Sequence, residues 1–293
     1  MRVENSSNKT FKTEDGLTLS YQVVGEGARW MILANGLGGR LSSWGPLIDG
    51  LRSDFKFITW DYRGLFGSQN ADDLHLDLSV RRHAEDLLSI LDAEGVREAV
   101  FCGWSMGVQV ALEAAYRSPD RADRLILLNG THGHALETGF QPVFRVPFFS
   151  KYLNEVIEAG LESRFIREAV CSIPNHRGFQ KYAGWALERI WDNPKFSWVV
   201  ATYCDDVFNE TNFPNLLRLF QELNAHSVYH FLRHVTQPAL VLSGGMDVLT
   251  PAYQSKEMAR KLPNSRWINY PLASHFLLQE KPRQILAEIR KFI

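Results

Sequence analysis

One serine lies between two glycines, in the run Gly103-Trp104-Ser105-Met106-Gly107, and its surroundings suit nucleophilic chemistry. The apolar run 99–102 before it favours a strand, and the run 108–116 after it favours a helix. A chain that turns from strand to helix so sharply strains the serine backbone and holds the hydroxyl clear of the sheet. A Cβ at either glycine would clash with the neighbouring strand or helix. Ser105 is therefore the predicted nucleophile.

A serine hydroxyl needs a base, and the base needs a carboxylate that orients it. Asp247 follows the apolar run 239–243 and a Gly-Gly turn, and His275 follows the strand-like run 266–270 and a short loop. The order Ser, Asp, His is the one expected after a strand–turn–helix nucleophile. We predict that Asp247 and His275 complete a catalytic triad. The alternatives are a turn or helix-capping aspartate and a surface histidine.

A glycine-rich loop, Asn35-Gly36-Leu37-Gly38-Gly39, directly follows another apolar strand. Acyl transfer needs two backbone N–H groups directed at the oxyanion, and we assign them to Leu37 and Met106. The loop lacks the Gly-x-Gly-x-x-Gly spacing of a dinucleotide site, although a plain glycine turn or a phosphate-binding loop remains an alternative. We expect the segment 61–64 (Asp-Tyr-Arg-Gly) to brace this loop by charge-assisted hydrogen bonds.

Aromatic residues are frequent between 131 and 236, where the apolar pattern is helical and prolines recur. They form either the core of this segment or the wall of a substrate cleft. The predicted substrate-binding residues are Asn35, Trp104, His132, Phe144 and Phe148. Three other histidines, His226, His230 and His234, are spaced four residues apart, and we expect an ordinary helix face there rather than a metal site.

The composition excludes several classes of protein. The 293 residues are 45% hydrophobic and 12% aromatic, with a formal net charge of −1, so nothing favours nucleic acid or an anionic membrane as a partner. Three scattered cysteines without metal spacing, and a polar N-terminal stretch without a signal-peptide core, indicate a cytoplasmic protein. No transmembrane segment is expected, and the oligomeric state is left open.

Apolar strands alternate with amphipathic helices on both sides of the 131–236 segment. This pattern predicts an α/β fold with a mostly parallel, eight-stranded sheet and helices on both faces. Residues 1–130 and 237–293 would form the core domain. Residues 131–236 would form a helical cap, or lid, inserted after strand six.

These motifs together resemble the α/β-hydrolase fold family, in particular its capped esterase/lipase and C–C hydrolase branch. The resemblance rests on Asn35-Gly36-Leu37-Gly38, Asp61-x-Arg63-Gly64-x-x-x-Ser68, Gly103-x-Ser105-Met106-Gly107, Gly244-Gly245-x-Asp247 and His275. The family usually has His where Asn35 stands, Gly where Ser274 stands, and often a small residue where Val108 stands. None of these departures removes a catalytic group. The serine nucleophile speaks against the haloalkane dehalogenase and epoxide hydrolase branches, which the resemblance implies use an aspartate.

The expected function is therefore serine hydrolysis of a carboxylic ester with an apolar acyl or alkyl part, through an acyl-enzyme and without metal or cofactor. The expected partners are this small-molecule substrate and water. Three alternatives stay open. They are C–C bond hydrolysis or lyase chemistry on the same triad, a non-catalytic ligand-binding protein on the same fold, and a lipase with peripheral membrane contact through the Phe-rich stretch 140–149.

Overall fold

The computed structural model describes residues 7–68, 76–135, 155, 158, 163–191, 196–208 and 212–293. Eight strands form one sheet: β1 (Ser7–Lys12), β2 (Thr18–Val24), β3 (Arg29–Ala34), β4 (Phe55–Trp60), β5 (Ala99–Trp104), β6 (Ala122–Leu128), β7 (Ala239–Gly244) and β8 (Ser265–Tyr270). The α-helices of the core are α1 (Gly45–Leu51), α2 (Val80–Ala93), α3 (Met106–Arg117), α8 (Ala252–Lys261), α9 (Leu277–Glu280) and α10 (Pro282–Phe292). Between β6 and β7 lie α4 (Arg164–Asn175), α5 (Arg177–Trp191), α6 (Phe196–Val207) and α7 (Phe213–Ala225).

The strand order is β1-β2-β4-β3-β5-β6-β7-β8. The first two strands pair antiparallel with each other, and β2 also pairs antiparallel with β4, whereas β4 and all later strands run parallel. This confirms the predicted fold class. The parallel strands β3, β5, β6, β7 and β8 deliver the loops that follow them to one edge of the sheet, where ligands bind in open α/β sheets.

The sheet has an apolar core on each face because successive strand residues point to opposite sides. In β3, Ile32 packs with the helices α2, α3 and α8, whereas Met31 and Leu33 pack with α1, α9 and α10. The central strand β5 is buried along its whole length. This rigid centre carries the serine at its carboxyl end.

Residues 131–236 are called the insertion below. Near its C-terminal end, the helix face expected for three histidines is not found. His226, His230 and His234 do not share a helix face, because α7 ends at Ala225 and His226 already has an extended backbone. Ser227 then pairs with Gly133 in an isolated β-bridge, and a short 3-10 helix follows at Leu232–His234. The bridge joins the two ends of the insertion, and the chain after Ala225 is therefore not part of the helix.

The C-terminal segment contains two consecutive helices. It divides into α9 and α10 at Lys281, because Pro282 has no N–H to continue the first helix and instead starts the second. Within the described part of the chain, no helix is long and apolar enough to cross a membrane.

Candidate active site

Ser105 forms the turn between β5 and α3 and has a left-handed backbone with φ of 56°. Such a conformation is strained for a residue with a side chain and is characteristic of functional turns. The two glycines permit it, as predicted. A Cβ on Gly107 would lie 1.9 Å from the carbonyl oxygen of Ala34, and one on Gly103 would lie 2.3 Å from the carbonyl oxygen of Gly107. The α3 N-terminus therefore begins directly beside the serine, with its free N–H groups available.

Asp247 and His275 meet across the loops that follow β7 and β8. The Nδ1 atom of His275 lies 2.8 Å from Oδ2 of Asp247. Both residues are buried, with 4% and 8% of their surfaces exposed, so this hydrogen-bonded pair is shielded from water. Because Nδ1 is engaged with the carboxylate, Nε2 is the ring nitrogen left for proton transfer.

The Asp247 carboxylate is held by two further side chains that sequence reasoning missed. Asn129 donates its Nδ2 to Oδ2 at 2.5 Å, and the Thr250 hydroxyl donates to the same oxygen at 2.8 Å. The backbone N–H groups of Leu249 and Thr250 each donate to Oδ1 at 2.9 Å. Burial alone would raise the pKa of Asp247, but the His275 charge and these hydrogen bonds lower it below its usual value. The aspartate is therefore an anion at neutral pH.

Asn129 stands at the end of β6 with φ of 46° and also donates to the carbonyl oxygen of Ser274 at 3.0 Å. Its amide thus joins the loop that carries Asp247 to the loop that carries His275. A polar residue that ends an apolar strand was the available signal. Thr250 also had a sequence signal: it is the third residue after Asp247, in the turn that precedes a helix.

The histidine loop is held by two more contacts. Trp104 donates its Nε1 to the carbonyl oxygen of His275 at 3.1 Å. Glu280 accepts hydrogen bonds from the backbone N–H and the hydroxyl of Ser274, the residue that replaces the usual glycine. The departure at Ser274 therefore adds a side-chain contact that anchors the loop to α9.

The glycine-rich loop (residues 35–39) follows β3 and contains a tight turn. Gly39 donates its N–H to the carbonyl oxygen of Gly36 at 2.8 Å, and Gly38 has φ of +71°. The Tyr62 hydroxyl donates to the carbonyl oxygen of Asn35 at 2.7 Å. Segment 61–64 therefore does hold the loop, but at this carbonyl it does so through the neutral hydroxyl of Tyr62.

Arg63 does not contact the glycine-rich loop, which corrects the expectation of a charge-assisted brace there. Its guanidinium is fully buried and donates to Asp86 on α2 at 2.7 Å and to Asp15 at 2.6 Å. Burial without partners would destabilise the charge, so two carboxylates surround it. Asp61 instead pairs with Arg40 at 3.8 Å, just after the loop.

Asn35 is also placed differently from the expectation of a substrate-binding side chain. Its amide donates to the carbonyl oxygen of Trp60 at 2.7 Å, and its oxygen accepts from Nε1 of Trp44 at 2.7 Å and from the Thr59 hydroxyl at 3.2 Å. These partners lie in the core, and they use both ends of the amide. Asn35 anchors the loop and does not line the cavity.

A cavity of about 160 Å³ lies over Ser105. It brings together Ser105, His275, Leu37 and Met106, four of the five residues predicted for catalysis, while Asp247 lies behind His275. The lining is mainly apolar and comprises Gly36, Leu37, Trp104, Ser105, Met106, Thr131, Ala135, Tyr203, Phe220, Leu223, Leu249, Thr250, His275 and Phe276.

The remaining predicted substrate-binding residues have different outcomes. Trp104 lines the cavity, and its ring centroid lies 5.5 Å from that of His275. His132 is not in the lining, because its ring packs against Tyr229 at 4.9 Å, near the bridge that joins the ends of the insertion. Phe144 and Phe148 lie outside the described residues.

Comparison with known proteins agrees with this architecture. Residues 29–282 match the family described as the alpha/beta hydrolase fold. A proposed carbamate hydrolase, RutD, of Pseudomonas savastanoi is 24% identical over 84% of this chain and 86% of its own. The pimeloyl-[acyl-carrier protein] methyl ester esterase of Aliivibrio salmonicida is 23% identical over 94% and 96%. The structure of the enol-lactonase from Burkholderia xenovorans LB400 superposes with a TM-score of 0.74 at 22% identity, over 97% and 99% of the chains. The chain belongs to the α/β-hydrolase fold family, and it is a hydrolase.

Proposed function

We propose that the protein is a serine hydrolase that cleaves a neutral carboxylic ester with an apolar acyl or alkyl part. The observation that carries the proposal is the buried Asp247–His275 pair, joined at 2.8 Å, which opens on the same apolar cavity as the strained Ser105. A buried, oriented histidine beside a serine on a strand–turn–helix bend is the arrangement that activates a hydroxyl at neutral pH.

In this mechanism Ser105 Oγ attacks the ester carbonyl carbon while Nε2 of His275 takes the hydroxyl proton. The carbonyl oxygen becomes an oxyanion and accepts hydrogen bonds from the backbone N–H groups of Leu37 and Met106. His275 then gives its proton to the leaving alcohol, which leaves an acyl group on Ser105. Water, deprotonated by His275, hydrolyses this acyl-enzyme and restores the serine. Throughout, Asp247 holds the Nδ1 proton and stabilises the imidazolium.

The cavity lining supports an apolar substrate. The polar side chains that the insertion contributes to the described lining are Thr131 and Tyr203, and both already donate to backbone carbonyl oxygens, of Gly133 and Leu37. Cleavage of a C–C bond in a diketone needs additional polar groups, so the described lining favours an ester. The names of two relatives, a methyl ester esterase and an enol-lactonase, point to the same bond type.

We also propose that the insertion serves as a cap over the site, since Ala135, Tyr203, Phe220 and Leu223 close the cavity from that side. A cytoplasmic location is supported by the three cysteines, all buried and scattered along the chain.

The test is hydrolysis of p-nitrophenyl esters from acetate to palmitate by wild type and Ser105→Ala. Loss of the nucleophile should lower kcat by about 10⁴-fold or more. Ser53→Ala is the matched control, since Ser53 is exposed in the turn before β4 and should leave turnover unchanged. A fluorophosphonate should label wild type and Ser53→Ala but not Ser105→Ala.

Two results would overturn the proposal in different ways. If every ester is inert while the fluorophosphonate still labels Ser105, the nucleophile is active and the substrate class is wrong, which moves C–C bond cleavage forward. If neither turnover nor labelling occurs, the protein binds a ligand without catalysis.

A further inference from the structure

One face of α6 lies directly on the glycine-rich loop. Tyr203, Asp206 and Val207 are spaced i, i+3 and i+4 along this helix, so their side chains share that face. Each contacts a different part of the chain between residues 37 and 40. The contact is a specific docking of the insertion on the loop that carries the proposed oxyanion donor.

The three contacts differ in kind. The Tyr203 hydroxyl donates a hydrogen bond to the carbonyl oxygen of Leu37. Asp206 forms an ion pair with Arg40, with 3.2 Å between Oδ1 and Nη1. Val207 packs so closely on Gly38 that a Cβ there would lie 2.7 Å from Cγ2 of the valine. Of these three side chains of α6, Tyr203 is the one that binds a carbonyl oxygen of the loop.

The Leu37 carbonyl matters because of the turn in which it lies. The hydrogen bond from Gly39 to Gly36 makes Leu37 and Gly38 the central residues, and the positive φ of Gly38 following a non-positive φ of Leu37 defines a type II turn. In such a turn the central peptide can rotate toward the type I arrangement, which reverses the direction of its carbonyl. A donor fixed on this carbonyl selects one of the two arrangements. The Leu37 N–H belongs to the preceding peptide, and the two peptides share the Cα atom of Leu37, so a fixed carbonyl also limits how this N–H can turn.

We propose that Tyr203 is a positioning residue for the oxyanion hole, acting from the insertion on the backbone of Leu37. This inference rests on the proposed function, because it assigns a purpose to the Leu37 N–H. The Tyr62 hydroxyl holds the Asn35 carbonyl from the core side, and Tyr203 holds the Leu37 carbonyl from the other side. Two tyrosine hydroxyls therefore hold the loop, one from the core and one from α6.

The protonation state of Tyr203 is compatible with this assignment. Burial raises the pKa of its hydroxyl above the ordinary value, so the side chain remains a donor throughout the range in which esterases are assayed.

The experiment compares Tyr203→Phe with wild type on the best p-nitrophenyl ester. Removing the hydroxyl should lower kcat about tenfold and leave KM within about twofold, because the loss is confined to the transition state. An alkyl trifluoromethyl ketone, whose serine adduct places an oxyanion in the hole, should bind more weakly by the same factor of about ten. Asp206→Asn should lower kcat and the affinity for the ketone by a smaller factor.

Tyr182→Phe is the matched control, since Tyr182 lies on α5 with 75% of its surface exposed and should leave both quantities unchanged. Unchanged kcat and ketone affinity in Tyr203→Phe would overturn the inference, and so would a raised KM at constant kcat, which would make Tyr203 a substrate contact. If wild type hydrolyses no ester, the rate of fluorophosphonate labelling of Ser105 is compared instead, with the same tenfold expectation. If the fluorophosphonate does not label wild type, the proposed function itself is wrong, which is a separate outcome from failure of the inference about Tyr203.

Discussion

Asp247 is surrounded by hydrogen-bond donors. Its Oδ2 atom faces His275, the Asn129 amide and the Thr250 hydroxyl, and its Oδ1 atom faces two backbone N–H groups. A site built wholly of donors requires an acceptor-only partner, which the ionised carboxylate is. Orientation of the histidine and stability of the fold therefore depend on the same negative charge.

Asp247→Asn should affect catalysis and stability together. The amide cannot hold the proton on Nδ1 of His275, so kcat should fall by about 10³–10⁴-fold. Its NH₂ group would also face a donor, so the free energy of unfolding at pH 7 should fall by about 1–3 kcal/mol. Urea unfolding and ester turnover measure the two effects. Asp120→Asn, at an exposed position, is the control, and equal effects of the two variants would contradict this view of the site.

The stability difference should depend on pH in a defined direction. The pKa of Asp247 is lower in the folded protein than its usual value, so folding favours the ionised form. This contribution is complete above the pKa of the unfolded chain, about 4, and is lost as the pH falls through the lower folded value. The unfolding free energies of wild type and Asp247→Asn should therefore converge as the pH is lowered below about 4. A constant difference between pH 7 and pH 3 would contradict the ionised carboxylate.

At the scale of secondary-structure elements, the nucleophile depends on how closely α3 approaches the sheet. Gly107 lies on the first turn of α3, against the last residue of β3, and no other residue fits there. This contact sets the distance between the serine and the glycine-rich loop, since Ala34 immediately precedes that loop.

Gly107→Ala should lower the free energy of unfolding by about 3 kcal/mol or more, because the added Cβ would overlap backbone atoms that cannot move independently. The control is Gly95→Ala at the end of α2, where φ is +65° but nothing lies within 4 Å of the new Cβ. There the left-handed backbone alone should cost about 1 kcal/mol. Thermal or urea unfolding of the two variants measures both values, and equal losses would contradict the close packing of Gly107 against β3.

The elements of the core could be predicted from the sequence because their signals are local. Apolar runs of strand length, amphipathic helices and the two glycines around Ser105 each report their own surroundings. The mostly parallel, eight-stranded sheet followed from their alternation. Asp247 and His275 could be named because each directly follows a strand, and the fold then brings the ends of those strands together.

The parts that could not be predicted depend on contacts between distant segments. Nothing around Tyr203 indicates that its hydroxyl reaches residue 37, and nothing around Arg63 distinguishes Asp86 from the glycine-rich loop as its partner. His226 continues the helical spacing of α7 in sequence, but pairing of the neighbouring Ser227 with Gly133 prevents the helix from extending. In each case tertiary contacts override the local pattern.

At the scale of the molecule, the charged side chains of the described residues lie away from the lining of the cavity over Ser105. The described lining contains no Lys, Arg, Asp or Glu, whereas buried charges such as Arg63 are matched by carboxylates elsewhere. The cavity volume of about 160 Å³ is close to that of an apolar protein cavity of about 150 Å³ that binds benzene. The cavity therefore suits a short, uncharged acyl chain.

We expect p-nitrophenyl butyrate and hexanoate to be the best substrates of the ester series and palmitate to be poor. The mono-p-nitrophenyl ester of succinate, which carries a free carboxylate, should have a kcat/KM at least about 100-fold below butyrate, because the described lining offers no Lys or Arg to the buried charge. Methyl p-nitrophenyl succinate, in which the carboxylate is a methyl ester, is the matched control and should recover most of the lost kcat/KM. Equal turnover of the charged and methylated succinates would show that the acyl chain lies in water.

The strand order has a consequence for how the protein is made. From β5 onward each new strand, β6, then β7, then β8, joins the outer side of the one before it, so the sheet grows in the order of synthesis. A ribosome exposes Ser105 early, but the carboxylate and the imidazole follow only after the whole insertion, and His275 arrives behind β8. A nascent or prematurely terminated chain thus carries the proposed nucleophile without its proposed base. With the proposed roles of Ser105 and His275, a chain that ends before residue 275 should hydrolyse no ester.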